Sequence, residues 1–88
     1  MVQAEVTVLN PEGIHLISAN KIAKVADMFR SEIHLRTEYM NINAKSIISI
    51  VSGSFQKGDK LLCVCEGPDE AEALKAMQDI LSQNFDNR

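Results

Sequence analysis

The sequence predicts an α+β sandwich in which helices cover one face of an antiparallel sheet. Three observations predict it: some stretches alternate apolar and polar residues with the period of a half-buried strand, others repeat apolar residues at helical spacing, and turn residues separate them. In chain order these stretches read β-α-β-β-α-β-α. Helices placed between paired strands are typical of this architecture. We expect the 88 residues to form a single domain, residues 1–88.

A strand, a turn and a helix are predicted at the start of the chain. Residues 2–8 carry valine or alanine at every even position, which is typical of a strand with one solvated face. The string Asn10-Pro11-Glu12-Gly13 follows with turn residues, since proline presets φ and glycine permits a positive φ. From about Leu16 the apolar residues take helical spacing. The buried stripe of this helix is predicted to comprise Ala19, Ile22, Ala23, Ala26 and Phe29.

The middle of the chain predicts a hairpin, a short helix and a central strand. Residues 32–36 and 40–43 alternate as two paired strands, which leaves His34 on a solvated face. The residues after Ser46 are β-branched and favour a strand, but Ser46 is a good N-cap, so we predict a short helix. Residues 60–66 are nearly continuously apolar, as expected for a strand at the centre of the sheet.

The last helix shows the clearest pattern. It follows Gly67-Pro68, and Asp69 with Glu72 fits a capping-box-like pair at its start. Its buried stripe is predicted to comprise Ala73, Leu74, Met77, Ile80 and Leu81, with Phe85 extending the stripe past the helix end.

Composition excludes several classes of function. Nine Lys and Arg against 12 Asp and Glu give a formal charge of −3, which argues against a general nucleic-acid binder. No apolar run approaches the roughly 20 residues of a membrane span. The N-terminal residues also lack the basic region of a secretory signal.

The two cysteines favour a reducing cytoplasm over a disulfide scaffold. Cys63 and Cys65 are spaced C-x-C on one strand face, where a soft metal would need two further ligands. Neither His15 nor His34 is placed by the sequence to supply one. We therefore expect buried thiols that pack as small hydrophobes, with no metal and no cofactor.

His15 is the first candidate for chemistry, because it stands between a glycine turn and a helix start. The first amides of a helix, here those of Leu16 and Ile17, have no partner within the helix and form an anion site. A neutral imidazole is also a nucleophile near pH 7. His15 could thus carry a phosphoryl group on its ring; the alternative interpretation is an ordinary loop histidine.

Ser46 and the helix behind it are the second candidate. A phosphate on Ser46 would add about −1.5 to −2 charge where the helix dipole tolerates it; the alternative is a capping serine that is never modified. A short apolar helix leaves some side chains outside. Ile47, Ile48 and Val51 are therefore candidates for a partner-docking patch beside His15.

Two strings in the chain resemble a known family. Asn10-x-x-Gly13-Ile14-His15 follows the first strand, and Ile42-Asn43-Ala44-Lys45-Ser46-Ile47 comes later in the chain. With the chain length, the Gly67-x-Asp69-x-x-x-Ala73-Leu74 helix entry and the terminal Phe85, they resemble the histidine-containing phosphocarrier protein HPr family of the sugar phosphotransferase system.

The resemblance implies an open-faced β-sandwich of four antiparallel strands and three helices, and a carrier that is not an enzyme. It implies that His15 takes phosphate from enzyme I on a ring nitrogen and passes it to sugar-specific enzyme IIA. In relatives from low-GC Gram-positive bacteria, the serine corresponding to Ser46 is modified by HPr kinase/phosphorylase. The phosphoserine form then serves catabolite repression, through a catabolite-control transcription factor.

The chain departs from the family beside the histidine. Family members usually continue with Ala-Arg-Pro, where this chain has Leu16, Ile17 and Ser18. Isoleucine lacks the charge and paired donors that arginine offers a phosphohistidine, and Lys21 or Lys24 are candidates to compensate. Ser18 is a candidate cap in place of the proline.

Phosphoryl carriage is the leading interpretation, and two alternatives stay open. One is a diverged HPr paralogue that keeps partner docking and Ser46-dependent control without efficient transfer through His15. The other is a ligand-sensing module of the ACT type, which the βαββαβ order also suggests. The third helix and the string from Asn43 to Ser46 count against that module.

Overall fold

Seven elements follow one another in the predicted order. The computed structural model describes residues 1–82. The strands are β1 (Val2–Thr7), β2 (Glu32–Arg36), β3 (Asn41–Asn43) and β4 (Lys60–Glu66). The helices are α1 (Leu16–Asp27), α2 (Ile47–Ser52) and α3 (Glu70–Leu81).

The strands form one antiparallel sheet in the order β1-β4-β2-β3. β4 lies at its centre and pairs with β1 on one side and β2 on the other; Cys63 stands opposite both Ala4 and Leu35. The central position of β4 accounts for its apolar sequence. Cys63 and Cys65 are buried on the face that the helices cover, and Val64 is buried on the open face. The predicted central strand is confirmed.

The core lies between the sheet and the three helices. The even residues of β1 face it, and four of the five predicted stripe residues of α1 are buried; Phe29 is only partly buried and packs against the edge of the core. On α3 the stripe residues Ala73, Met77, Ile80 and Leu81 are buried, and Leu74 is partly so. Phe85, the predicted extension of this stripe, lies outside the described residues.

The start of α3 differs from the capping-box prediction, which is wrong. Asp69 is the N-cap residue, but its side chain makes no cap hydrogen bond to α3. Its carboxylate instead accepts from the amides of Arg30 and Ser31, both at 2.9 Å, and from the Ser31 hydroxyl. Asp69 therefore joins α3 to the segment between α1 and β2.

Three further side chains bear on the sequence predictions. His34 is half-buried on the open face, not fully solvated: its Nδ1 is buried without a hydrogen-bond partner, and its Nε2 lies 3.5 Å from the Glu32 carboxylate. Cys63 and Cys65 are both free and buried, as predicted. None of the helices within residues 1–82 is long and apolar enough to cross a membrane.

Candidate functional site

The loop before α1 is fixed by hydrogen bonds of its own and by contact with Phe55. Asn10 is buried; its Nδ2 donates to the Gly13 carbonyl at 2.6 Å, and the Gly13 amide donates back to the Asn10 carbonyl at 2.9 Å. Gly13 has φ +74°, and a Cβ there would lie 2.3 Å from the Phe55 carbonyl oxygen. That same oxygen accepts from the Ile14 amide at 2.9 Å. Only glycine allows the backbone at position 13 to lie this close to Phe55. The contact therefore fixes the position of the backbone at residue 15, where α1 begins.

His15 is that residue, and it is the N-cap of α1. Its backbone is extended, with φ −126° and ψ −164°, and its side chain is exposed. The Ser18 hydroxyl accepts from the His15 amide at 3.0 Å and donates to the His15 carbonyl at 3.1 Å. Ser18 thus caps the start of α1. The imidazole stands at the helix start with access to solvent.

The first turn of α1 offers amide donors beside this imidazole. Helical geometry leaves the amides of Leu16 and Ile17 without intrahelical partners, and the helix dipole adds partial positive charge. The first turn carries no acidic side chain that would compete with an anion. The Leu16 and Ile17 side chains are 65% and 64% exposed. The arrangement can therefore hold an anion against the histidine while showing an apolar surface to a partner.

The two lysines of α1 are not equivalent with respect to His15. Both are exposed, but Lys24 lies in the last turn, about 13 Å along the helix axis from His15. Lys21 lies about 9 Å along the same axis. Of the two cations considered as substitutes for the missing arginine, Lys21 is the one placed closer to the imidazole.

Ser46 caps α2, as predicted. Its Oγ accepts from the Ser49 amide at 3.3 Å, and its own amide donates to the Asn43 carbonyl at 3.1 Å. The side chain of the preceding residue, Lys45, donates from Nζ to the Phe29 carbonyl at 2.8 Å, just beyond the end of α1. The hydroxyl of Ser46 is half-buried and engaged as a cap.

The apolar residues of α2 divide between the core and the surface. Ile50 is fully buried, whereas Ile48 is 78% exposed and Val51 36% exposed. Ile47 is partly buried and packs against the core, so it offers a partner less surface than Ile48. Sequence reasoning overlooked Met40, which is 37% exposed and lines a groove of about 240 Å³ together with Ile48.

The cysteines lie away from this surface. They face the helices from the centre of β4, and burial raises the pKa of both thiols, with the neighbouring thiol as a further cause for Cys63. Within the described part of the chain, no group of histidine, cysteine and acidic side chains could hold a metal ion.

These features define a class of protein: an open-faced β-sandwich that presents a histidine side chain on its surface at the start of a helix. The His15 side chain is exposed at the start of α1 beside the exposed Leu16 and Ile17, and Ile48 is exposed on α2. Such a surface suits reaction with a group that another protein supplies.

Comparison with known proteins agrees with this class. A family model described as "PTS HPr component phosphorylation site" matches residues 2–83. The chain is 37% identical over 86 residues to the phosphocarrier protein HPr of Treponema pallidum, covering 98% of each chain. It is 36% identical over 85 residues to that of Mycoplasma pneumoniae, covering 96% of this chain and 97% of the relative.

Solved structures give the same result. HPr-C-His from Thermoanaerobacter tengcongensis superposes with a TM-score of 0.92 at 31% identity, over 100% of this chain and 99% of the other. The solution structure of Crh, the Bacillus subtilis catabolite repression HPr, gives a TM-score of 0.64 at 27% identity, over 96% and 100%.

The chain belongs to the HPr family of the phosphotransferase system. Its role is that of a phosphocarrier, and it is not an enzyme. The family match sets aside the ACT-type module as an explanation of the βαββαβ order.

Proposed function

We propose that His15 is the residue that carries the phosphoryl group, which it receives from enzyme I and passes to a sugar-specific enzyme IIA. The observation that supports this most strongly is the exposed imidazole at the N-cap of α1, next to the first-turn amides of Leu16 and Ile17. These amides have no intrahelical partners and favour an anion at this place.

The transfer needs only the groups at this face and the two partners. The lone pair of a neutral ring nitrogen attacks phosphorus, a nitrogen–phosphorus bond forms, and the bond between phosphorus and enzyme I breaks. The ring proton leaves to solvent or to the partner. The same steps in reverse order pass the group to enzyme IIA. The amides of Leu16 and Ile17 stabilise the phosphoryl oxygens while His15 carries them.

The partners would dock on the apolar face around His15. Leu16, Ile17 and Ile48 are the most exposed apolar side chains there, and Val51 adds to them. Contacts of this kind exclude water from the reacting group. The proposed partners are proteins of the cytoplasm, and we propose the same compartment for this chain, in keeping with its free cysteines.

Ser46 is the proposed regulatory site, modified by an HPr kinase/phosphorylase and read by a catabolite-control transcription factor. Its hydroxyl stands at the N-cap of α2, two residues from the exposed Ile48. A phosphate there would add about −1.5 to −2 charge beside the docking residues. It would weaken docking of an acidic partner and strengthen docking of a basic one.

One observation favours a second candidate function. Ile17 supplies neither charge nor paired donors where family members usually have arginine. A diverged paralogue that keeps docking and Ser46-dependent control, with inefficient transfer through His15, would show this substitution. The similarity to Crh, a protein named for catabolite repression, supports the same alternative.

Labelling with phosphoenolpyruvate and enzyme I decides between the two. We expect the wild-type protein to gain an acid-labile phosphate and His15→Ala to gain none, with His34→Gln as the matched control that labels normally. If the wild type stays unlabelled while Ile17→Arg is labelled, the paralogue replaces the carrier as the account of this chain.

A separate experiment tests Ser46. Incubation with an HPr kinase and ATP is expected to add one base-labile phosphate to the wild type and none to Ser46→Ala. Ser49→Ala, which removes a hydroxyl within the same helix, should be modified normally. Absence of label under conditions that modify an authentic HPr would exclude this regulation.

A further inference from the structure

Ser18 makes two contacts to the residue that caps its own helix, one of them the capping-box contact from position N3. Its side chain is 1% exposed and turns back toward His15. The hydroxyl accepts from the His15 amide at 3.0 Å and donates to the His15 carbonyl at 3.1 Å. One side chain therefore holds both backbone polar groups of the residue that stands at the centre of the candidate site.

We propose that Ser18 is a positioning residue for phosphoryl transfer. By fixing the backbone of His15, it fixes the imidazole relative to the free amides of Leu16 and Ile17. It also occupies the His15 amide, so that the donors facing an anion are those of the first helical turn. The inference rests on the proposed role of His15 as the phosphoryl acceptor.

The sequence around His15 makes this positioning important. With isoleucine at position 17, 64% exposed and uncharged, the chain depends on backbone amides to hold the phosphoryl group. Amides act over short distances and in fixed directions, and a displacement of about 1 Å can change a rate by as much as 10²-fold. The hydrogen bonds between Asn10 and Gly13 fix the loop on the other side of His15.

A reaction without any partner protein tests the proposal directly. Phosphoramidate transfers its phosphoryl group to imidazole: a ring nitrogen attacks phosphorus, the bond from phosphorus to the amine nitrogen breaks, and ammonia leaves. We expect Ser18→Ala to form phosphohistidine more slowly than the wild type and to lose it to hydrolysis about threefold to tenfold faster. His15→Ala reports any label on His34. Ser18→Thr, which keeps a hydroxyl, should restore part of the lifetime.

Kinetics with enzyme I provide a readout that a merely structural role would not change. Ser18→Ala should lower kcat for phosphorylation and leave KM within twofold of the wild type, because the docking residues Leu16, Ile48 and Val51 are unchanged. Unchanged kcat and phosphohistidine lifetime in a folded Ser18→Ala protein would overturn the proposal. If enzyme I fails to label the wild type while phosphoramidate still separates the variants, the proposed transfer from enzyme I is wrong and the positioning role stands.

Amide exchange in the wild-type protein gives a test that needs no variant. The His15 amide should exchange more slowly than the amides of Leu16 and Ile17, since it alone of the three is bound by the Ser18 hydroxyl. Exchange of all three at the same rate would contradict the positioning role, even if Ser18→Ala fails to fold.

Discussion

Asp69 joins parts of the chain that lie far apart in sequence. Its carboxylate accepts two amide hydrogen bonds, from Arg30 and Ser31, and one from the Ser31 hydroxyl. The Ser31 hydroxyl, followed by the Arg30 amide, holds the pKa of this carboxyl below its ordinary value. The charged form is therefore the one that the fold stabilises.

We expect the substitution Asp69→Asn to destabilise the protein by an amount that depends on pH. Because the pKa is lower in the folded than in the unfolded protein, the carboxylate stabilises the fold above the unfolded pKa of about 3.9. That contribution is lost as the pH falls through the folded value. We expect the variant to unfold at lower urea than the wild type at pH 7, with the difference shrinking toward pH 3. The exposed Glu72→Gln is the control, and a difference that is equal at both pH values would contradict this assignment.

The capping-box prediction for Asp69 was wrong because a local sequence pattern contains no information about tertiary contacts. Asp69 and Glu72 have the spacing of a capping box, and sequence reasoning could weigh only that spacing. The competing donors of Arg30 and Ser31 reach Asp69 through the tertiary fold, and a bond to two amides and a hydroxyl satisfies the carboxylate better. The position of His15 at the start of α1 was easier to predict, because a glycine turn and a helix start are its immediate neighbours in sequence.

At the scale of elements, α2 both closes the core and forms part of the candidate docking face. Ile50→Ala would leave a cavity and is expected to lower the free energy of unfolding by about 2–4 kcal/mol. Ile48→Ala removes an exposed side chain and should change it by less than about 0.5 kcal/mol. Chemical denaturation of the two variants measures both values.

Ile48→Ala should nevertheless weaken binding to enzyme I. We expect a loss of about fivefold in affinity, or about 1 kcal/mol, as for a contributing apolar residue of an interface. Met28→Ala is the matched control, since Met28 is 76% exposed but lies at the other end of α1 from His15. Equal affinities for wild type and Ile48→Ala by titration calorimetry would remove Ile48 from the docking face.

For α2, the sequence predicted that a helix forms but not which of its apolar residues are exposed. The capping potential of Ser46 predicted a helix in spite of β-branched residues, and the structure confirms that choice. Which apolar residues face outward depends on how the helix sits on the core, and periodicity within six residues does not determine this. Ile47 accordingly packs partly inward, whereas Ile48 and Val51 are exposed.

At the scale of the whole molecule, β4 lies between β1 and β2, and the helices cover one of its faces. Cys63 and Cys65 have no solvent exposure, and burial is the main cause that raises the pKa of each thiol. A thiol that stays protonated and that reagents cannot reach from solvent reacts slowly. Reaction of either cysteine in the native protein thus requires the sheet and helices to separate.

Thiol modification should therefore report global unfolding. We expect an aromatic disulfide reagent to modify neither cysteine rapidly at pH 8, and to modify both at once when urea unfolds the chain. The rate should follow the unfolded fraction measured by circular dichroism. Rapid modification of one thiol per chain under native conditions would show that part of the covered face of β4 opens locally, without global unfolding.

Strand order was the global feature that the sequence left undetermined. Alternation tells which residues share a face, but not which strand lies beside which. The position of β4 could be inferred because a strand with a neighbour on each side is largely buried and is therefore nearly continuously apolar. The place of β1 at one edge and β3 at the other depends on pairing between distant segments.

A phosphoryl relay tests the carrier role most directly. The protein is labelled with enzyme I and radioactive phosphoenolpyruvate, purified free of both, and mixed with a sugar-specific enzyme IIA. We predict that the acid-labile label leaves His15 and appears on enzyme IIA in equal amount within seconds to minutes. Label that stays on the protein, or that appears only as inorganic phosphate, would contradict the claim that His15 carries phosphate between two partners.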